Sequence, residues 1–292
     1  MLASLGAVAF SGKAIIVKLA YRYGVDAVTL IMYRMLFSLP LFLSLAIWSG
    51  RDRPALTTRD RFTVVGLGTC GYYLASFLDF AGLAYISASL ERLILYLNPT
   101  LVLALGIGLF GRRVERHQWM ALAVSYAGVL CVFGQELSVA GSNVPLGALL
   151  VFMSTISYAI YLVFSGQVVK RIGALRLTGL ASSVACLICI AQFVVLRPLS
   201  AAQVQPEVIW LSVLNATACT VAPVLMVMMA VERIGAPLAA QAGSIGPIST
   251  VLLAALILGE RITLWVAIGS TLVIAGIWLL ARARPASLAV AP

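Results

Sequence analysis

Apolar residues run along the chain in stretches of about twenty, each closed by a short polar or turn-forming segment. A helix needs about 20 mostly apolar residues to cross a bilayer. Ten segments meet that length: 2–20, 27–48, 62–84, 87–110, 118–134, 146–164, 174–196, 208–231, 237–258 and 263–281. Ser49-Gly50-Arg51-Asp52-Arg53-Pro54 closes the second, Gly134 to Pro145 separates the fifth from the sixth, and Arg197-Pro198 ends the seventh. The period-two alternation that a β-barrel requires is missing. The pattern predicts an all-α integral membrane protein with ten transmembrane helices.

Composition sharpens that reading. Of the 292 residues, 62% are hydrophobic and 10% charged, against roughly a quarter charged in a soluble domain. So much apolar surface needs lipid as its solvent, which excludes an ordinary soluble enzyme and a disordered chain. The net charge of +10 marks orientation rather than a nucleic-acid face. With the N-terminus inside, the inner segments carry Arg51, Arg53, Arg59, Arg61, Arg112, Arg113, Arg116, Lys170, Arg171, Arg176, Arg233, Arg282 and Arg284. The outer loops carry only Arg22, Arg197 and Arg261. The positive-inside rule then puts both termini in the cytoplasm. The first span lacks the charged n-region of a cleaved signal peptide.

Five cysteines lie inside apolar stretches, so no disulfide framework is expected. Cys186 and Cys189 have no His or acidic neighbour, and His117 lies in a basic loop, so no metal site is expected. No Walker-type loop or other cofactor motif occurs.

A shift of 148 positions reveals an internal repeat. Ile86-Ser87-Ala88 meets Ile234-Gly235-Ala236, Leu90 meets Leu238, and Pro99 meets Pro247. Gly111-Arg112-Arg113 meets Gly259-Glu260-Arg261, and Ala127-Gly128 meets Ala275-Gly276. The predicted organisation is a first five-helix repeat over 1–134, a linker over 135–145, and a second repeat over 146–292. Five spans is an odd number, so the second copy enters the membrane inverted. Inverted repeats around a midplane site are the plan of alternating-access transporters.

The run Ala88-Ser89-Leu90-Glu91-Arg92 with Asn98-Pro99, and Gly235-Ala236-Pro237 with Pro247, Leu258-Gly259-Glu260 and Gly276, resembles the EamA-type drug/metabolite transporter superfamily. The resemblance covers essentially the whole chain and extends in length and span count to bacterial aromatic amino-acid exporters of the YddG-like group. It implies a basket-shaped bundle with a central cavity and export of small metabolites. Small multidrug exporters of that superfamily rely on a Glu in the first span. This chain carries Lys13 and Lys18 there instead.

Charges within spans are costly and mark functional candidates. Lys13, Lys18, Arg34, Asp79, Glu91 and Arg92 all fall in the outer half of the first repeat, and their mates at the repeat offset are uncharged. Asp79, Glu91 and Arg92 are candidates for gating or coupling, set against a purely structural pairing that locks the bundle. Lys18 is expected to snorkel to the outer interface. Lys13 and Arg34 are candidates for receiving a carboxylate. Pro99 and Pro247 are expected to kink their helices and free carbonyls toward a wet cavity. Ser244, Pro247, Gln241, Tyr96 and Asn98 therefore join the substrate-binding candidates. Tyr72, Tyr158 and Tyr161 lie within spans, where a tyrosine hydroxyl needs a partner, and they complete the set.

The sequence thus predicts a monomeric transporter with no catalytic residues, exporting small metabolites, chiefly aromatic and other neutral amino acids. Its partners are the small-molecule substrate and the bilayer, without nucleic acid. Two alternatives stay open: a proton-coupled exporter of drugs or nucleotide metabolites, and a lipid-modifying membrane enzyme.

Overall fold

The structure is a computed structural model that describes residues 1–51, 53–110, 116–140, 143–234 and 245–282. Those residues form helices and no strands. In chain order the α-helices are α1 (Leu2–Tyr21), α2 (Ala27–Trp48), α3 (Thr58–Leu67), α4 (Ala75–Leu83), α5 (Ala88–Leu95), α6 (Asn98–Phe110) and α7 (Arg116–Ala140). They continue with α8 (Val144–Ile172), α9 (Ala174–Leu196), α10 (Pro206–Ala216), α11 (Ala222–Ile234), α12 (Gly246–Leu253) and α13 (Leu264–Arg282). A π-helical stretch, Gly68–Leu74, joins α3 to α4. A second, Thr217–Val221, joins α10 to α11. A third, Ala254–Leu258, extends α12.

Among the described residues, eight helical runs are long and apolar enough to cross a membrane: Ser4–Tyr21, Ala27–Trp48, Thr58–Leu83, Ala88–Leu109, Arg116–Ser138, Val144–Gly166, Ala174–Leu196 and Pro206–Val227. Two shorter apolar helices follow, Gly246–Leu258 and Leu264–Leu280. The outer surface suits lipid. Leu256 is 82% exposed, Val195 79% and Trp210 73%, an arrangement that water would penalise at roughly 25 cal/mol per Å² of apolar surface.

Helix starts follow local chemistry. Asp26 caps α2 by accepting from Val28 N at 3.0 Å and Thr29 N at 3.3 Å. Thr57 and Asp60 form a reciprocal capping box at α3. Ser87 Oγ accepts from Leu90 N at 3.0 Å to open α5. Between α8 and α9, Gly173 takes a φ of 87°, a conformation that a side chain would strain.

Small residues set the closest helix contacts. A Cβ on Gly128 of α7 would lie 2.6 Å from Gly269 O of α13. A Cβ on Gly179 of α9 would lie 2.8 Å from Ala46 N of α2. Backbones therefore meet directly in the two most extensive helix pairs, α7 with α13 and α2 with α9. Further pairs are α4 with α8, α1 with α11, α6 with α8 and α1 with α12.

The local details depart from the sequence expectation in three places. The helix expected to stop at Gly134 continues to Ala140, because Gln135 and Glu136 are good helix formers and both side chains find partners at that end. Glu136 Oε1 accepts from Ser87 N at 2.8 Å, and Gln135 Oε1 accepts from Thr263 Oγ1 at 2.6 Å. The sixth segment likewise runs on to Ile172. Finally, Pro99 and Pro247 sit in the first turns of α6 and α12 rather than in mid-helix. There the missing N–H costs nothing.

Candidate functional site

A cavity of about 650 Å³ lies among α1, α2, the Gly68–Leu74 stretch, α4, the α5–α6 break, α8, α9 and the α10–α11 junction. That volume holds a metabolite-sized ligand. Lys13, Arg34, Tyr72, Asp79, Arg92, Tyr96, Asn98 and Tyr158 all line it, and so does Pro99.

Its charges are paired selectively. Lys13 Nζ lies 2.5 Å from Asp79 Oδ2 and 3.4 Å from Glu91 Oε1. Glu91 is fully buried behind the lining. Arg92 Nη2 donates to Ser11 Oγ at 3.3 Å, and its guanidinium sits 5.3 Å from the Tyr96 ring centroid. Ser11 Oγ in turn donates to Gly246 O at 2.9 Å. The two proline breaks therefore meet: a Cβ on Gly246 would lie 2.1 Å from Tyr96 Oη. Pro247 is buried next to Gly246 at this contact. Ser244 and Gln241 lie outside the described residues.

Aromatic rings occupy another wall. Tyr72 and Tyr161 meet edge to face at 5.0 Å, Tyr158 and Tyr161 stack at 5.6 Å, and Tyr72 and Tyr158 lie 6.5 Å apart. The Tyr72 and Tyr161 hydroxyls are 3.2 Å apart. Tyr161 stands behind the other two, packed so closely on Gly71 that a Cβ there would lie 2.3 Å from its Cγ. The π-helical stretch widens the turn locally, and Gly71 and Tyr72 belong to it.

Five polar lining residues were not among the sequence candidates: Ser76, Ser154, Thr178, Ser182 and Thr220. Thr178 and Ser182 lie one turn apart on α9, and Thr220 sits in the second π-helical stretch. Thr220 Oγ1 accepts from Arg34 Nε at 3.1 Å. Lys18 is half-buried within electrostatic reach of Glu260, Glu136 and Glu91.

One end of the bundle is tied by further polar contacts. Glu260 accepts from Ala88 N at 2.8 Å, Ser89 N at 3.3 Å and Ser89 Oγ at 2.8 Å, placing its carboxylate on the N-terminus of α5. Arg22 Nη2 donates to Leu258 O at 2.8 Å, and Tyr21 Oη donates to Phe80 O at 2.6 Å. Elsewhere, Arg171 pairs with Asp60.

A cavity walled by several membrane-length helices is the architecture of a carrier, and comparison with known proteins agrees. The EamA-like transporter family matches residues 1–134 and again 145–282. The chain belongs to the EamA-like transporter family. It is 32% identical over 277 residues to the "Uncharacterized transporter YcbK" of Bacillus subtilis (strain 168), covering 91% of this chain and 86% of that protein. A solved crystal structure of a protein superposes with a TM-score of 0.65 at 16% identity, covering 96% of this chain and 94% of the other. At that identity the likeness speaks for the fold. This EamA-like protein is a multi-pass membrane transporter.

Proposed function

We propose that this EamA-like transporter exports amino acids, aromatic and other neutral ones, from the cytoplasm across a bacterial inner membrane by alternating access. The observation that carries the substrate class is the cavity's split chemistry. The polar ends of Lys13, Asp79, Arg34 and Arg92 share one space with the rings of Tyr72 and Tyr158. An amino acid has the matching halves, a charged head and an apolar or aromatic side chain.

Alternating access rests on ten spans arranged as two inverted five-helix repeats with both termini cytoplasmic. The helix pairs support that symmetry. At the repeat offset, the α4–α8 contact corresponds to α11–α1, and α6–α8 corresponds to α12–α1. The α2–α9 and α7–α13 pairs each correspond to themselves, as pairs on a two-fold axis must. The π-helical stretches Gly68–Leu74 and Thr217–Val221 overlap at the same offset, and the family matches two segments of similar length. In this orientation the Glu260, Glu136 and Arg22 contacts lie at the outer end and must part before the cavity opens outward. Asp79, Glu91 and Arg92 form the gating or coupling group beside the substrate, and the protein works as a monomer.

Flux of labelled Phe, Trp, Thr and Met in proteoliposomes, with and without a pH gradient, tests the reading. Saturable flux of at least one is expected. Gradient-driven flux would assign coupling to the Asp79 and Glu91 pair. Flux of none of the four overturns the amino-acid assignment.

A further inference from the structure

The buried charges do not cancel. Lys13 has two carboxylates within ion-pair distance, whereas among the described residues Arg34 has none within 4.0 Å. Yet Arg34 is only 7% exposed. Its Nε is satisfied by Thr220 Oγ1 at 3.1 Å, and its plane sits 5.0 Å from the Phe80 ring centroid. Its Nη1 is buried without a hydrogen-bond partner. Asp79 shows the complementary defect. Lys13 occupies Oδ2 and the buried Glu91 carboxyl lies within hydrogen-bond reach of Asp79, while Oδ1 is buried with no donor from a neutral or basic side chain. Asp79 and Arg34 feel one another electrostatically without closing into a pair. Both line the same cavity.

Buried guanidinium and carboxylate groups left unfilled are expensive, and structures keep them where a ligand completes them. A donor fork and a free acceptor in one cavity, unable to satisfy each other, match a ligand that carries both opposite charges. We propose that Arg34 and Asp79 form a zwitterion dock. Arg34 receives the substrate α-carboxylate through its guanidinium, and Asp79 Oδ1 receives the α-ammonium. Lys13 then holds Asp79 and Glu91 in place and does not touch the carboxylate, which separates two residues that the sequence treats alike. This inference rests on the amino-acid reading above and makes it specific: the head group is recognised at Arg34 and Asp79, whatever the side chain.

The alternative occupant of a lone buried guanidinium is a simple anion. Competition against labelled Phe uptake in proteoliposomes separates the cases, using phenylalaninamide, which lacks the carboxylate, and 3-phenylpropionate, which lacks the amine. Wild type is expected to prefer phenylalanine over each by roughly 100-fold or more, since sites built to bond a polar group reject analogues that lack it. In Arg34→Gln the preference over the amide should collapse to within about 3-fold. In Asp79→Asn the preference over 3-phenylpropionate should collapse likewise. Arg34→Lys keeps the charge without the fork and should retain an intermediate preference. Arg34→Gln forfeits the Thr220 bond and the Phe80 contact but strands no carboxylate, so it should melt only about 2–4 °C below wild type, which guards against a folding artefact. An unchanged amide preference in Arg34→Gln overturns the dock while leaving amino-acid transport standing. Equal competition by 3-phenylpropionate in wild type also overturns it and points to an anion site. Wild type that takes up no amino acid overturns both readings together.

Discussion

Replacing Lys13 with Met tests whether the charged cluster is held together as the structure shows. Lys13 is the cation within ion-pair distance of both Asp79 and Glu91, at 2.5 and 3.4 Å. The side chains of Asp79 and Glu91 are 3% and 0% exposed, that of Lys13 15%. Two unit charges 4 Å apart attract by about 4 kcal/mol at an effective dielectric of about 20, and both carboxylates lie closer than that. Desolvation cancels much of this attraction in the intact cluster. Removing the cation leaves the desolvation cost standing, and broken buried pairs lose about 3–5 kcal/mol. Water in the cavity reaches Lys13, which favours the lower end. At roughly 2 °C per kcal/mol for a chain of this size, Lys13→Met should melt roughly 6–10 °C below wild type in detergent. Cys186, Cys189 and Cys219 are free and buried, so a thiol-reactive dye reports the unfolding. Adding Asp79→Asn removes the carboxylate that Lys13 holds at 2.5 Å and should restore part of the loss. A single variant within about 1 °C of wild type would refute the reasoning, and so would a double variant that melts lower still.

Other positions give sharper local tests. Gly71→Ala drives a Cβ into the Tyr161 ring, at 2.3 to 2.5 Å from three of its atoms. It should cost about 1–3 kcal/mol by overpacking and alter uptake of aromatic more than of small substrates. A denaturation midpoint unchanged from wild type would contradict the packing. Asp26 lies outside the spans. Partial burial works to raise its carboxyl, but the Thr29 hydroxyl and N–H, the Arg197 guanidinium and the Val28 N–H together hold it below its ordinary value of 3.8. A depressed carboxyl stabilises the fold above its unfolded value and loses that contribution as pH falls through the folded one. Asp26→Ala should therefore cost about 1 kcal/mol at neutral pH through the lost cap, and the gap to wild type should narrow as pH drops below about 4. A gap that stays constant down to pH 2 in melting measurements would argue against the assignment.

The length and apolarity of each helix are local properties, and the chain alone set them. Hydrophobic thickness and internal hydrogen bonding act on twenty residues at a time, so Ala27–Trp48 and Ala174–Leu196 follow the segments marked on the sequence. Caps also read out locally, at Asp26 and Ser87. Helix ends were less legible where partners come from afar. Gln135 and Glu136 continue their helix past Gly134 because Thr263 and Ser87 meet them there. Prolines 99 and 247 announced a break, but only the fold placed Tyr96 against Gly246.

Among the candidate residues, sequence could mark costly intramembrane charges but not assign their partners. Lys13 and Asp79 are 66 positions apart, and Arg34 and Thr220 are 186 apart. Which of them touch depends on the depth and rotation of several packed helices, fixed by close glycine contacts such as Gly128 with Gly269. Only that packing decided that, among the described residues, Lys13 carries two carboxylates while Arg34 carries none. The sequence settled that charge enters the membrane, because burial in lipid is a property of each segment. The tertiary structure settled which charge is left open, because pairing is a property of the whole bundle.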